Sequence, residues 1–104
     1  MSFESGLQTK VIKYLRNVGA MVDNIHGNEY QASIADLIIC YRGRYIALEL
    51  KAPDGVLSSG QRHKLRKVQR AGGIGECIHG INKVQSIIDT IDRGEVWNNS
   101  DYRR

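Results

Sequence analysis

Hydrophobic residues recur at helical spacing in three segments of the chain. In the first, from Glu4 to Val18, they lie three, four and seven positions apart, as one buried stripe of a helix requires. A second helix is predicted from Ser58, where Ser58-x-x-Gln61 has the form of a capping box. A third is predicted after Asn82 and ends before Gly94. The stripes consist of Leu7, Val11, Ile12, Leu15 and Val18, then Leu65, Val68 and Ala71, and finally Val84, Ile87, Ile88 and Ile91.

Four other segments have the composition of β-strands. Ala35 to Tyr41 and Tyr45 to Lys51 are rich in Ile, Leu and Tyr, and the short connection between them predicts a hairpin. Shorter patterns at 20–26 and 74–79 predict one strand before this hairpin and one after it. The elements therefore run helix, three strands, helix, strand, helix, which predicts an α/β fold with one sheet flanked by helices.

The overall composition is typical of a single domain spanning residues 1–104, with 41% hydrophobic residues. Residues 97–104 are expected to be a frayed tail, although Val96 and Trp97 also suit a short edge strand. No apolar run approaches the length of about 20 residues that a membrane helix needs, and the start lacks the pattern of an export signal. Cys40 and Cys77 have no metal-binding spacing, so we expect two buried apolar side chains in a cytoplasmic protein.

Basic residues are concentrated in the second predicted helix. The chain has 15 Lys and Arg against 11 Asp and Glu, a formal charge of +4, which favours a polyanionic partner without requiring one. The segment 61–70 contains five basic residues and no acid, which predicts a surface that faces DNA phosphates. A solvated helix face is the alternative interpretation. These residues are Arg62, Lys64, Arg66, Lys67 and Arg70, and weaker candidates for DNA contact are Lys10, Arg42 and Arg44.

The predicted hairpin carries the acidic residues that are the strongest candidates for a catalytic role. Alternate residues of a strand share a face, so Glu49 and Lys51 lie together. If the hairpin loop has two or four residues, Asp36 lies directly across from Glu49; a three-residue loop would place the two carboxylates on opposite faces. The sequence leaves both registers open.

Two facing carboxylates repel each other unless a cation or a proton lies between them. Mg²⁺ accepts oxygen ligands of this kind, and we expect Asp36, Glu49 and the backbone carbonyl of Leu50 to bind it. The ammonium of Lys51 would then hold the attacking water or offset charge on phosphorus. The alternative is structural, with Asp36 as a strand-entry cap and Glu49 with Lys51 as an exposed ion pair.

Four sequence stretches together resemble the PD-(D/E)XK nuclease superfamily, and most closely its virus-type replication-repair nuclease (VRR-NUC) domain. They are Ser33-Ile34-Ala35-Asp36-Leu37-Ile38-Ile39, Ala47-Leu48-Glu49-Leu50-Lys51, Gly55-Val56-Leu57-Ser58-Ser59-Gly60-Gln61 and the helix that ends in Ala71-Gly72-Gly73. The resemblance implies a restriction-endonuclease-like αβββαβ core with a mixed sheet, and hydrolysis of phosphodiester bonds that depends on Mg²⁺ or Mn²⁺. It also implies a DNA substrate, a resemblance to dimeric Holliday-junction resolvases, and a bacterial or phage-infected cell as the setting.

The resemblance also assigns roles to individual residues. Asp36 and Glu49 match the metal-binding acids, Lys51 the catalytic lysine, Gln61 a glutamine of the family pattern and Glu4 the acid on the first helix. Ala35 departs from the pattern, because the family usually has proline there.

Three of the candidate residues also have structural interpretations. Glu4 lies on the inward face of its helix, which favours a role as a metal ligand, but an acid in the first turn is also favoured by the helix dipole. Gln61 completes the capping box with Ser58. Ser33 is a candidate for phosphate contact or an ordinary loop serine.

The residues and the resemblance together predict a DNA endonuclease, and the resemblance implies that it is structure-selective and acts as a homodimer. One rival hypothesis is a non-catalytic DNA-binding module with a nuclease-like fold. Another is a phosphatase acting on small esters, although the histidine-rich ligand set common in such enzymes is missing from the sequence.

Overall fold

The computed structural model describes residues 3–25 and 35–103. Its helices are α1 (Phe3–Asn17), α2 (Ser59–Arg70) and α3 (Ile81–Asp92), and its strands are β1 (Met21–Asn24), β2 (Leu37–Tyr41), β3 (Arg44–Leu50) and β4 (Ile74–Ile78). The predicted order of elements and the α/β class are confirmed. Ser33 lies outside the described residues, as do all the other residues from 26 to 34.

The four strands form one mixed sheet in the order β1-β2-β3-β4. β1, β2 and β3 are antiparallel neighbours, whereas β4 runs parallel to β3. A parallel pair needs a crossover connection, and α2 supplies it. β3 is therefore a central strand, and its last five residues are all buried. The end of β3 is thus held firmly, which matters because three candidate site residues lie there.

The main hydrophobic core lies between the sheet and the pair α1 and α3. It combines the predicted stripes of both helices with alternate residues of the strands: Leu7, Val11, Leu15, Leu37, Ile39, Ile46, Leu48, Leu50, Ile78, Val84, Ile87 and Ile88. On the opposite face of the sheet, α2 packs over β3 and β4 and buries Leu65 completely. Side chains of β3 are consequently covered on both faces, including the alternate set that contains Glu49.

The packing of α2 on β4 is closest at Gly75. A Cβ atom at Gly75 would lie 2.6 Å from the backbone oxygen of Leu65, and a helix backbone cannot move aside independently. We expect Gly75→Ala to destabilise the protein by roughly 1–3 kcal/mol, as overpacking does. Urea unfolding would measure this. Gly6→Ala in α1 is the matched control, because nothing lies within 4 Å of the added methyl group and alanine favours a helix. An unchanged midpoint for Gly75→Ala would contradict the close approach.

The C-terminal segment 95–103 differs from its sequence-based expectation. It contains neither the edge strand suggested by Val96 and Trp97 nor the predicted frayed tail. Instead it is anchored on Glu76, a fully buried acid of β4. The Glu76 carboxylate pairs with the Lys83 ammonium at 2.8 Å and accepts hydrogen bonds from Trp97 Nε1, the Ser100 backbone N–H and the Tyr102 hydroxyl.

The same segment closes the outer edge of β4. The backbone groups of Gly75 and Cys77 point away from β3, and each donates one hydrogen bond and accepts one. Their partners are the side chains of Gln69, Lys83, Asn99 and Tyr102. Side chains therefore occupy the positions that a fifth strand would take.

The face of the sheet beside α2 is less covered at β1 and β2. Met21, Cys40 and Tyr45 are cross-strand neighbours in one row, and all three are exposed. The expectation that both cysteines are buried is confirmed for Cys77 and wrong for Cys40, because α2 covers only β3 and β4 on that face. No helix within the described ranges is long and apolar enough to cross a bilayer.

Candidate active site

The β2–β3 hairpin has a loop with an even number of residues, which gives the strand register that the site requires. Its loop is Arg42-Gly43, and both residues have positive φ angles, 50° and 79°, as a type I′ turn requires. Tyr41 therefore pairs with Arg44, and the register continues to Leu37 opposite Leu48. Asp36, immediately before β2, is thereby brought to Glu49. The two-residue loop confirms one of the two registers that the sequence left open.

Asp36 is half-buried and lies beside the buried side chain of Glu49. One Asp36 oxygen accepts the backbone N–H of Leu50 at 2.9 Å, and Glu49 is only 2% exposed. Burial raises the pKa of Glu49 to about 7, with further contributions from the hydrogen bond to Asp36 and from its charge, while Lys64 acts in the opposite direction. Glu49 is therefore harder to ionise than an exposed glutamate as long as no cation lies beside it. The alternative of an exposed Glu49–Lys51 ion pair is wrong for Glu49, which is buried.

Lys64 contacts this pair from α2. Its Nζ lies 3.3 Å from Glu49 Oε1, and only 16% of its side chain is exposed. Lys64 therefore faces Glu49 and not an outer surface of α2, and its contact with DNA phosphates stays a prediction. Lys64 lies three positions after Gln61 and four before Val68, so it shares one side of α2 with them. Val68 belongs to the predicted inward stripe of this helix, so the spacing was a readable signal that Lys64 also faces the sheet.

Lys51 follows directly after β3. Its backbone N–H donates to the Ile78 carbonyl, which continues the pairing of β3 with β4. Burial raises the pKa of the Cys77 thiol, and the charges of Lys83, Glu49, Lys51 and Glu76 also act on it. The turn that begins at Ala52 packs on Lys51: a Cβ atom at Gly55 would lie 3.2 Å from the Lys51 Cβ. This turn restricts where Lys51 can point.

A cavity of about 250 Å³ opens beside the acid pair, toward α1. Glu4, Ser5, Gln8, Asp36 and Leu50 line it. Glu4 is exposed and accepts the backbone N–H of Ala52 at 3.3 Å, so it lies at the rim of the cavity. Within residues 3–25 and 35–103, no three acid, histidine or cysteine side chains are grouped closely enough to hold one metal ion. Direct metal binding by Glu4 stays a prediction.

The chemistry of the remaining donors fits a hard divalent cation. Asp36 and Glu49 offer carboxylate oxygens, and Leu50 lines the same cavity with its backbone close by. Glu49 Oε1 is buried, and among the described residues it has only the Lys64 ion pair and no hydrogen bond. Mg²⁺ commonly binds through one or two carboxylates together with water. A divalent ion beside Glu49 would favour the ionised form of this carboxyl, which burial disfavours.

Gln61 has the structural role that the capping box predicts. The Ser58 hydroxyl accepts the Gln61 backbone N–H, and the Gln61 side chain accepts the Ser58 N–H at 2.9 Å. This reciprocal pair fixes the start of α2, and thus the position of Lys64 one turn later. A direct catalytic contact by Gln61 stays a prediction.

The other basic candidates do not form the single surface that was predicted. Arg62 donates to the Leu57 carbonyl at the start of α2, whereas Arg66 is half-buried beneath the C-terminal segment. Arg42 pairs with Asp92 at 3.1 Å, at the turn of the hairpin far from Asp36. The rest are exposed at separate places: Lys67 and Arg70 on α2, Arg44 after the hairpin turn and Lys10 on α1. The basic residues of α2 point in different directions because a helix distributes neighbouring residues around its axis.

Comparison with known proteins identifies the fold. A solved structure described as "VRR_NUC domain" superposes on the chain with a TM-score of 0.72 at 16% sequence identity. The match covers 86% of this chain and 97% of that one. No family model and no curated protein matches the sequence. The chain therefore has the VRR-NUC nuclease fold, as the sequence motifs implied.

Proposed function

We propose that the protein is a metal-dependent DNA endonuclease whose active site consists of Asp36, Glu49 and Lys51. One observation carries the proposal: the even hairpin register brings two carboxylates together in a buried position, next to a lysine, within a nuclease fold. Burial and the neighbouring Asp36 both raise the pKa of Glu49, and a buried acid perturbed in this way is a candidate functional residue.

Each residue has a distinct part in the proposed reaction. Asp36 and Glu49 would bind Mg²⁺ or Mn²⁺ together with the backbone carbonyl of Leu50. The bound cation supplies Lewis acidity and lowers the pKa of a coordinated water. Lys51 would orient the attacking water or stabilise negative charge that develops on the phosphoryl oxygens. Lys64, released from Glu49 when the acids hold a cation, would add a second positive charge beside the substrate.

The finer features of the proposal follow from the fold resemblance. We infer in-line attack of water that leaves 5′-phosphate and 3′-hydroxyl ends, and selectivity for branched DNA such as junctions. A chain with one cutting centre severs two strands symmetrically when it acts as a two-fold dimer, so we also propose a homodimer.

A panel of labelled linear, nicked, flap and four-way-junction DNA tests the proposal. The purified protein should cut at least one of these with Mg²⁺ or Mn²⁺, and not with EDTA. Binding of Mn²⁺, followed by electron paramagnetic resonance, gives a readout independent of cutting and should weaken in Glu49→Gln. If the protein binds DNA but never cuts any of the panel, the non-catalytic module is the better interpretation.

A further inference from the structure

A second groove lies between α2 and the C-terminal segment, away from the acid pair. It has a volume of about 570 Å³. Arg66, Gln69 and Arg70 of α2 form one wall, and Asn99, Ser100, Asp101 and Arg103 form the other. The groove thus joins two segments that lie about 30 positions apart in the sequence.

The groove carries excess positive charge. Three arginines line it against one acid, Asp101, whose carboxylate pairs with the Arg103 guanidinium at 2.8 Å. Hydrogen bonds from Arg103 lower the pKa of Asp101 to about 2, so this acid stays ionised at neutral pH. In the part of the chain that the structure describes, neither Arg66 nor Arg70 forms an ion pair. Two guanidinium charges are therefore left for a ligand.

The walls of the groove are fixed before any ligand binds. Gln69 donates to the Ser100 carbonyl at 2.9 Å and so ties the C-terminal segment to α2. The Ser100 N–H is held in turn by buried Glu76 at 2.7 Å. Asn99 also lines the groove, and its amide is held by Gly73 and Gly75 of the sheet side. Guanidinium groups brought together on such a wall suit the oxygens of a phosphate.

The distance to the acid pair suits a continuous DNA strand. Lys64 contacts Glu49, and Arg70 lies six positions farther along the same helix, roughly 9 Å along its axis. Phosphates of one DNA strand are about 3.4 Å apart along the duplex axis, so this separation corresponds to roughly two or three nucleotides.

We propose that this groove binds the DNA backbone, with Arg66, Arg70 and Arg103 contacting phosphates two or three nucleotides from the cutting site. The identity of the ligand rests on the proposed nuclease function, whereas the preference for phosphate rests on the groove itself. The C-terminal segment is then part of the substrate-binding surface, and Arg103 positions the strand without touching the reacting phosphorus.

The salt dependence of DNA binding tests the proposal. Affinity of the full chain for a labelled 20-base-pair duplex is measured by fluorescence anisotropy in EDTA, over a range of salt concentrations. We expect Arg103→Ala and Arg66→Ala each to weaken binding and to lower the slope of log affinity against log salt by about one. Arg93→Ala is the matched control, since this exposed arginine pairs with Glu95 after α3 and its loss changes the net charge equally. Equal effects of Arg93→Ala and Arg103→Ala would overturn the proposal.

Asp101→Asn is expected to raise DNA affinity, whereas the arginine variants lower it. Removing the carboxylate frees Arg103 from its intramolecular partner, so DNA affinity should rise several-fold, which a merely structural role for Asp101 would not produce. A fall in affinity with an unchanged melting temperature would contradict the groove. Melting temperatures of all variants establish that they are folded.

Two further measurements separate the possible failures. Inorganic phosphate at millimolar concentration should compete only weakly with duplex DNA; if it alone binds and the duplex slope is unaffected by the arginine variants, the assignment to DNA is overturned. If wild-type protein never cuts DNA but the arginine variants still lower the slope, the nuclease proposal fails and the groove stands. If the wild-type protein cuts DNA but the arginine variants leave the salt slope unchanged, the groove proposal fails and the nuclease proposal stands.

Discussion

Asp36→Asn protein is expected to stay folded and to bind DNA, but to cut it at least about 10³ times more slowly than wild type. The amide keeps an oxygen that can accept the Leu50 N–H, which is now bound at 2.9 Å. It loses the negative charge that a divalent cation requires from this position. Single-turnover cutting at saturating Mg²⁺ would measure the effect.

Lys51→Met is a companion change at the same centre. It preserves most of the side-chain volume but removes the ammonium, so cutting should fall by about 10²- to 10³-fold, as for the loss of one electrostatic stabiliser. Matched controls are Asp89→Asn on α3 and Lys13→Met on α1, both exposed, which should cut within about twofold of wild type. Cutting that survives both Asp36→Asn and Lys51→Met would place the active site elsewhere.

Glu76→Gln is expected to lower the free energy of unfolding by roughly 3 kcal/mol. It leaves Lys83 without its ion-pair partner and weakens the anchor of Trp97, Ser100 and Tyr102. Removing one member of a buried pair costs about 3–5 kcal/mol, and we take the lower end because Lys83 is 34% exposed. Urea unfolding would measure the loss. Glu95→Gln is the control, because its ion pair with Arg93 is exposed and should contribute less than about 1 kcal/mol.

The stabilisation by Glu76 should also depend on pH. Its hydrogen bonds with Lys83, Trp97 and Ser100 lower the pKa of Glu76 despite the opposing effect of burial. A lowered pKa in the folded state means that the stabilisation is complete above the pKa of an unfolded glutamate, about 4.3. It is lost as pH falls through the folded value. The difference between wild type and Glu76→Gln should therefore shrink below about pH 4; a constant difference down to pH 2 would contradict it.

Local sequence patterns predicted most of the scaffold of the site. Helix stripes, the hairpin and the capping box at Ser58 each depend on neighbouring residues, and all are present. Whether Asp36 lies opposite Glu49 depended on whether the hairpin loop has an even or an odd number of residues. Gly43 adopts positive φ readily, but Arg42 gave no such signal, so both registers stayed open until the turn was observed.

Contacts between distant segments were the part that the sequence concealed. Glu76 lies in a short apolar strand, and its partners Trp97, Ser100 and Tyr102 are more than 20 positions away, with no periodic pattern to mark them. The basic groove was missed for the same reason. Arg66 and Arg103 line it together only because the distant C-terminal segment is anchored beside α2. Lys64 is different, because its spacing of four from Val68 already placed it on the inward side of α2.

The side chains that occupy the outer edge of β4 also limit how copies of this chain can join. Sheet extension by another backbone needs unpaired N–H and C=O groups, and at Gly75 and Cys77 these are already satisfied. In the described part of the sheet, β1 is the other border. A molecule with a single border available for such pairing can accept only one neighbour, so assembly through this sheet terminates at two copies and cannot propagate into a fibre.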